Sequence, residues 1–295
     1  MPPPIVAVVP ARAALAGNPS DLYGGAVLAV PVRTFTARVE VVDADRTSID
    51  GDADGELLVS AAMARSSSSG PLALRWTTDI PRSVGLAGSS AIVVAVLRAL
   101  ADRAGEPVSE LELAERAQAV EVEDVGVAAG LQDRAVQAAD APVLVDVGGG
   151  RPTITRLTPA RPVRVVVAWL DAAAGDSGEY HRRLRRAAGS ATADGMVALA
   201  TLARRAAEAF TAGDVDGLAE LVGEAGRLRS RVAPLSPAHD RLAAAMAAAG
   251  LEPNAAGSGG AVVAVVTDGT RLPEVTVAVE KLGVRAVVET YDREV

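Results

Sequence analysis

Pro81-Arg82-Ser83-Val84-Gly85-Leu86-Ala87-Gly88-Ser89-Ser90-Ala91 is a loop rich in glycine and serine, followed at once by an apolar run over residues 92–101. Such a run reads as a helix. The loop therefore delivers backbone N–H groups and two hydroxyls to a helix N-terminus, where unpaired donors and the positive end of the helix dipole attract phosphate. Gly85 and Gly88 let the backbone approach a ligand and permit positive φ. Without a ligand, the same residues read as a tight turn and a helix capped by Ser89 or Ser90. No Gly-Lys-Ser/Thr occurs, and the single lysine, Lys281, lies near the end of the chain. The loop is not a Walker A sequence, which excludes a P-loop kinase.

The chain has 295 residues, enough for one large domain or two medium ones. Its hydrophobic content of 49% supports a core and argues against global disorder. Aromatics are only 2%, which leaves that core to Val, Leu, Ile and Ala. A net charge of -8 opposes nonspecific nucleic-acid binding. Without cysteine there is no disulfide, thiolate chemistry or cysteine-held metal. His181 and His239, the two histidines, are far apart in sequence, against a histidine metal cluster or a Ser-His-Asp triad. Residues 1–5 lack the basic and apolar regions of a signal peptide, and no apolar run approaches the ~20 residues of a membrane span. These features lead us to expect a soluble cytoplasmic protein, monomer or homodimer, with no nucleic-acid or membrane partner.

Working outward, residues 5–9 read as a short strand ended by Pro10. Asn18-Pro19-Ser20-Asp21 is dense turn chemistry, and Gly24-Gly25 leads to a strand at 26–30. Residues 35–42 alternate as a half-buried strand. Residues 43–55 are acidic and turn-like, 56–65 helical, and 72–78 a strand entering the loop. Ser109-Glu110-Leu111-Glu112 is a capping box that opens a helix to about Val122. A further helix ends at Ala139, and strands follow at 143–147 and 164–170. A polar segment, 171–180, then gives way to Ala/Arg/Leu helices at 181–186, 195–212, 215–232 and 237–249. A second glycine-rich loop, 253–260, enters a buried-type strand at 261–266; a helix at 273–282 and a strand at 285–290 close the chain. The change near residue 160 predicts two α+β halves, 1–160 and 161–295.

Three separated segments resemble one family. Pro10-Ala11-Arg12 through Asp21-Leu22-Tyr23-Gly24-Gly25 resembles the first motif of the GHMP kinases, which include galactokinase, homoserine kinase, mevalonate kinase and phosphomevalonate kinase. Pro81 to Ala91 is similar to their phosphate-binding motif, Pro-x-x-x-Gly-Leu-x-Gly-Ser-Ser-Ala, and residues 254–263 to their third, glycine-rich motif. Residues 17–25 with 129–134 look most like the glucuronokinase-type sugar kinases. The resemblance implies an N-terminal domain like the second domain of ribosomal protein S5 and a ferredoxin-like C-terminal domain. ATP and its acceptor would meet between them.

What the resemblance implies for the site follows residue by residue. Pro81, Gly85, Leu86, Ala87, Gly88, Ser89, Ser90 and Ala91 would hold the ATP phosphates. Ser90 matches the family serine that ligates Mg²⁺, and Glu121, with Glu123 as competitor, the metal-binding carboxylate. Asp133 matches the general base and Arg12 the cation beside the transferring phosphate. Asn18, Asp21, Tyr23, Gly24, Gly257 and Ser258 would line the acceptor site, with Asp21 bonding sugar hydroxyls. Asn18 stands where galactokinase has Glu; its neutral amide with N–H donors would tolerate an anionic acceptor. The expected activity is phosphorylation of a polyol, at the 1-hydroxyl of a uronic acid such as glucuronate, or else of a phosphorylated C7 cyclitol or heptose. A non-catalytic ligand sensor of the same fold is the reading from another class.

Overall fold

The computed structural model describes residues 3–170, 190–267 and 283–293, with Tyr180, Arg182, Leu184, Arg186, Pro273, Glu274, Val275, Val277 and Lys281. The expected polar segment 171–180 and the expected helices 181–186 and 273–282 lie largely outside these residues.

The first half is a sheet with helices on it. Strands β1 (Ile5–Ala16) and β2 (Ala26–Asp43) form a long antiparallel pair. The sheet runs β3 (Ser48–Asp50), β4 (Leu72–Thr78), β2, β5 (Val143–Asp146), β6 (Thr153–Arg156), with β1 along β2. β1 does not stop at Pro10, as the sequence suggests: the register shifts between Pro10 and Ala11, and the strand continues to Ala16. A bulge tolerates the missing N–H. β2 likewise passes through Pro31 and joins the two strands expected at 26–30 and 35–42. β3 and β6 have no counterpart in the sequence reading; both are short and mostly exposed, so they lack an apolar pattern.

Helix α2 (Gly88–Ala104) packs on β1 and β2 and is buried on nearly every side from Ser90 to Ala101. Ile92, Val93, Val94 and Val96 are poor helix formers, each costing up to ~0.7 kcal/mol. Burial of each such side chain stabilises by about 1.5–3 kcal/mol, so packing decides the conformation. Around α2 lie α1 (Glu56–Ala64), α3 (Glu110–Ala119) and α4 (Gln132–Ala139). Ser109 caps α3 as expected, accepting from Glu112 N at 3.2 Å. A π-helical turn, Val120–Asp124, extends α3 and changes which side chains face inward: Glu121 is buried and Glu123 exposed.

The second half carries a four-stranded antiparallel sheet of β7 (Val163–Trp169), β8 (Pro253–Ala255), β9 (Val262–Val266) and β10 (Arg285–Tyr291), in the order β10-β7-β9-β8. Helices α5 (Ser190–Ala212), α6 (Val215–Val232) and α7 (Pro237–Ala248) lie between β7 and β8 in sequence. One apolar core runs through both halves and includes residues from β1, β2, α2, β7, α5 and α6. Polar ties cross as well: Tyr291 donates to Pro31 O at 2.7 Å, Asn254 Nδ2 to Leu15 O at 2.9 Å, and Arg204 pairs with Asp146 at 2.7 Å. No described helix is long and apolar enough to cross a membrane.

Candidate active site

A cleft of about 530 Å³ opens where the ends of β1, the loop before α2, the start of α4 and the second glycine loop meet. Its lining includes Pro81, Gly85, Leu86, Ala87, Gly88 and Ser89 from the phosphate-type loop. Left-handed backbone recurs there at every second residue: Ser83 (φ 58), Gly85 (φ 89) and Ala87 (φ 61). Such alternation turns successive N–H groups into an anion-binding concavity. Ala87 takes this conformation without being glycine, at a cost of ~1–2 kcal/mol. Its carbonyl is held by Gln137 Nε2 at 2.9 Å and Ser90 Oγ at 3.2 Å.

Ala87 is also the N-cap of α2, so neither serine caps the helix and its first N–H groups have no side-chain acceptor. Ser90 is 1% exposed, its hydroxyl donates back to Ala87 O, and it does not line the cleft. Ser89 instead lines the cleft and donates to Glu121 Oε1 at 3.1 Å. Of the two hydroxyls, the one beside Glu121 in the cleft is that of Ser89, not of Ser90, for which the resemblance implies the metal-ligand role. Ala91 is fully buried in α2 and does not line the cleft.

The second glycine loop touches the first backbone to backbone. A Cβ on Gly257 would fall 2.1 Å from Gly85 O, and one on Gly85 2.6 Å from Gly259 N. Here glycine serves the contact between loops. Ala261 N also donates to Val84 O at 2.8 Å.

Arg12, on β1, joins both loops and the end of α4. Its Nη1 donates to Gly85 O at 2.7 Å and to Ala256 O at 2.8 Å; its Nε lies 2.5 Å from Asp133 Oδ1. Asp133 is also 3.5 Å from Arg134. Arg134, missed as a site residue from sequence, is 3% exposed and ion-paired with Glu121. Burial lowers the Arg134 pKa, yet the carboxylates of Glu121 and Asp133 raise it on balance. Glu121 lines the cleft, whereas Glu123 is exposed and bonded to Arg65 at 2.6 Å. A Mg²⁺ ion fits the donors Glu121 Oε1 and Ser89 Oγ: both are hard oxygens, and Mg²⁺ commonly takes one or two carboxylates and completes its shell from phosphates and water. No larger metal-ligand cluster exists among the described residues.

Beyond Asp133 lie Asn18, Asp21 and Gln132. The Asn18 side chain gives its N–H to Ala255 O at 3.0 Å and has no partner for Oδ1. It therefore offers an acceptor to the cleft, and one of its two N–H donors is committed to Ala255 O. Asp21 Oδ2 accepts from Gln132 N at 3.2 Å, and its Oδ1 has no partner. Burial, reinforced by Asp133, raises the Asp21 pKa from 3.8 to about 6. Tyr23 and Gly24 leave the cleft: the 3-10 turn Ser20–Tyr23 sends Asp21 and Leu22 inward, packs Tyr23 on the core, and ends at exposed, left-handed Gly24. Gly257 and Ser258 do line the cleft, with Arg229 of α6, which sequence reasoning missed. The signal was there: Arg229 continues the buried stripe Leu218, Val222, Ala225. A different part of the lining, Leu58, Trp76 and Ile80, is apolar.

A glycine loop at a helix N-terminus, a buried Arg–Asp pair and a carboxylate–hydroxyl pair surround one cleft, the parts that phosphoryl transfer calls for. The family model "GHMP kinases N terminal domain" matches residues 56–140, and "GHMP kinases C terminal" matches 206–285. The chain belongs to the GHMP kinase family. A 61-residue stretch is 41% identical to D-glycero-alpha-D-manno-heptose 7-phosphate kinase of Campylobacter jejuni, covering 21% of this chain and 18% of that relative. The whole fold is similar to phosphomevalonate kinase of Streptococcus pneumoniae in complex with phosphomevalonate and AMPPNP, with TM-score 0.82, 18% identity, and 97% and 99% of the two chains covered. A D-glycero-D-manno-heptose 1-phosphate kinase from Bacteroides thetaiotaomicron gives TM-score 0.73 and 18% identity over 98% and 99%.

Proposed function

We propose that this kinase transfers the γ-phosphate of ATP to a hydroxyl of an anionic sugar or sugar-like polyol. One observation carries the reading. Asn18 Oδ1, Asp21 Oδ1 and Gln132 Oε1 are buried acceptors without partners, all on residues that line the cleft around Asp133. Buried polar atoms demand partners, and three acceptors in one site demand donors, which a polyol's hydroxyls supply. Two relatives named above are heptose phosphate kinases, which favours a phosphorylated acceptor over glucuronate.

The loop from Gly85 to Ser89 holds the triphosphate through N–H groups. Glu121 and Ser89 would hold Mg²⁺, which would supply neutralisation of the phosphate charge. Asp133 accepts the acceptor's hydroxyl proton as the new P–O bond forms and the bond from the γ-phosphorus to the bridging oxygen breaks, with ADP leaving. Arg12 keeps Asp133 aimed and ties both glycine loops to it. Leu58, Trp76 and Ile80 suit the flat adenine ring.

ADP release measured over neutral sugars, uronic acids and sugar phosphates tests the reading. Turnover of an anionic polyol supports it; turnover confined to non-polyol alcohols overturns it.

A further inference from the structure

We propose that Arg229 is the residue that recognises the anionic group of the acceptor, through its unpaired guanidinium nitrogens. The inference rests on the polyol-kinase reading and adds to it the origin of anion selectivity.

Arg229 is 2% exposed and lies on the last turn of α6. Its Nη2 donates to Gly257 O at 2.7 Å and faces the Tyr180 hydroxyl at 3.5 Å. Its Nε and Nη1 are buried without partners, and no carboxylate among the described residues pairs with it. Every other buried arginine of the cleft has its acid: Arg12 has Asp133, and Arg134 has Glu121. A buried guanidinium left without an anion is costly, because its charge is removed from water with nothing to offset the loss. Burial lowers the Arg229 pKa, with Tyr180 opposing the shift and the positive charge of Arg12 adding a smaller push in the same direction as burial.

The position fits an acceptor tail. Arg229 lines the same cleft as Asn18, Asp21 and Asp133, and its anchored nitrogen holds Gly257 of the second glycine loop. Acceptor hydroxyls would meet Asn18, Asp21 and Gln132, while a phosphate or carboxylate at the other end would take Nε and Nη1. A guanidinium presents a rigid planar fork that matches either oxyanion. Charge selectivity then comes from attraction by Arg229, and the neutrality of Asn18 serves only to avoid repulsion.

The test compares wild type, Arg229→Gln and Arg229→Lys on matched acceptors: mannose and mannose 6-phosphate, glucose and glucuronate, and heptose 7-phosphate. Gln keeps a donor for Gly257 O; Lys keeps the charge and loses the fork. We expect wild type to favour the anionic member of a pair, and Arg229→Gln to raise its KM at least ~50-fold while KM for ATP moves less than about twofold. The anionic-to-neutral preference should collapse, with Lys restoring part of it. The phosphate and carboxylate pairs identify which oxyanion the site takes. Equal losses on charged and neutral acceptors, or an unchanged preference, overturn the role of Arg229. A wild-type preference for neutral sugars overturns the anionic-acceptor reading itself. Circular dichroism checks folding; if Gln unfolds the chain, Lys must still lower the preference or the inference fails.

Discussion

Ser89 Oγ lies 3.1 Å from Glu121 Oε1, and both residues face the cleft, while Ser90 Oγ is spent on Ala87 O. The two hydroxyls are neighbours in sequence with separate duties. Removing the first should cost cation binding; removing the second should loosen the strained turn at Ala87.

Ser89→Ala is therefore expected to raise the Mg²⁺ concentration for half-maximal rate and the KM for ATP by roughly tenfold, with one hard oxygen lost. Ser90→Ala should leave both within about twofold and lower stability by ~1 kcal/mol, the scale of one buried hydrogen bond. Magnesium titrations of both variants with a denaturation curve check the split. The reverse pattern would return the ligand role to Ser90.

Asp133→Asn should lower kcat at least ~100-fold, the scale of a lost general base, with ATP still bound. The bond from Arg12 Nε can survive, since Asn keeps an acceptor oxygen. Single-turnover rates and nucleotide binding by calorimetry separate the two effects. Near-normal turnover would mean that Asp133 acts by charge or position alone.

Asp21 predicts a pH dependence of definite sign. Its folded pKa, about 6, lies above the usual 3.8 because burial disfavours the charge. The folded state thus holds this proton more tightly than the unfolded state. Its contribution favours folding below about pH 4 and is lost as pH rises through 6, a change on the order of 3 kcal/mol. Asp21→Asn should therefore be more stable than wild type at pH 8, with the difference shrinking toward pH 4. Acceptor kcat/KM should rise between pH 5 and 7 in wild type, because the ionised carboxylate accepts from two hydroxyls, and this limb should vanish in the variant. Equal stability profiles of the two proteins would remove the buried charge from the argument.

Several parts of this site were legible in sequence because chemistry and local structure coincide there. The loop from Pro81 to Ser89 announces itself by glycine and by the apolar helix behind it, whereas Asp133 stands out only through the resemblance of residues 129–134 to a family motif. What could not be read depends on geometry between distant segments. Whether Ser89 or Ser90 faces the cleft is set by Ala87 taking the cap position. The burial of Glu121 rather than Glu123 comes from a π-turn that ordinary helical periodicity does not foresee. Pro10 and Pro31 looked like strand ends, and a bulge and a long pair absorb them. Arg229 falls on the buried stripe of its helix, which the spacing does show, but that it is buried without an acid depends on what packs around it.

Gly130 offers a way to move Asp21 without changing its chemistry. A Cβ there would lie 2.0 Å from Asp21 Oδ2, so Gly130→Ala must displace the carboxylate. The contact is with the end of a side chain, which can rotate, so stability should change by no more than ~1 kcal/mol. The displaced carboxylate would leave both Gln132 N and the acceptor hydroxyl. A misplacement near 1 Å costs up to ~100-fold, so acceptor kcat/KM should fall ~10- to 100-fold while KM for ATP holds. Gly257→Ala provides the contrast: its Cβ would meet the backbone oxygen of Gly85 at 2.1 Å, which has no side chain to yield. That variant should push the two glycine loops apart, weaken ATP as well as acceptor, and lower the melting temperature. Gly149→Ala, with nothing within 4 Å of its Cβ, is the neutral control. If Gly130→Ala impairs ATP and acceptor alike, Asp21 belongs to the loop scaffold rather than to the acceptor site.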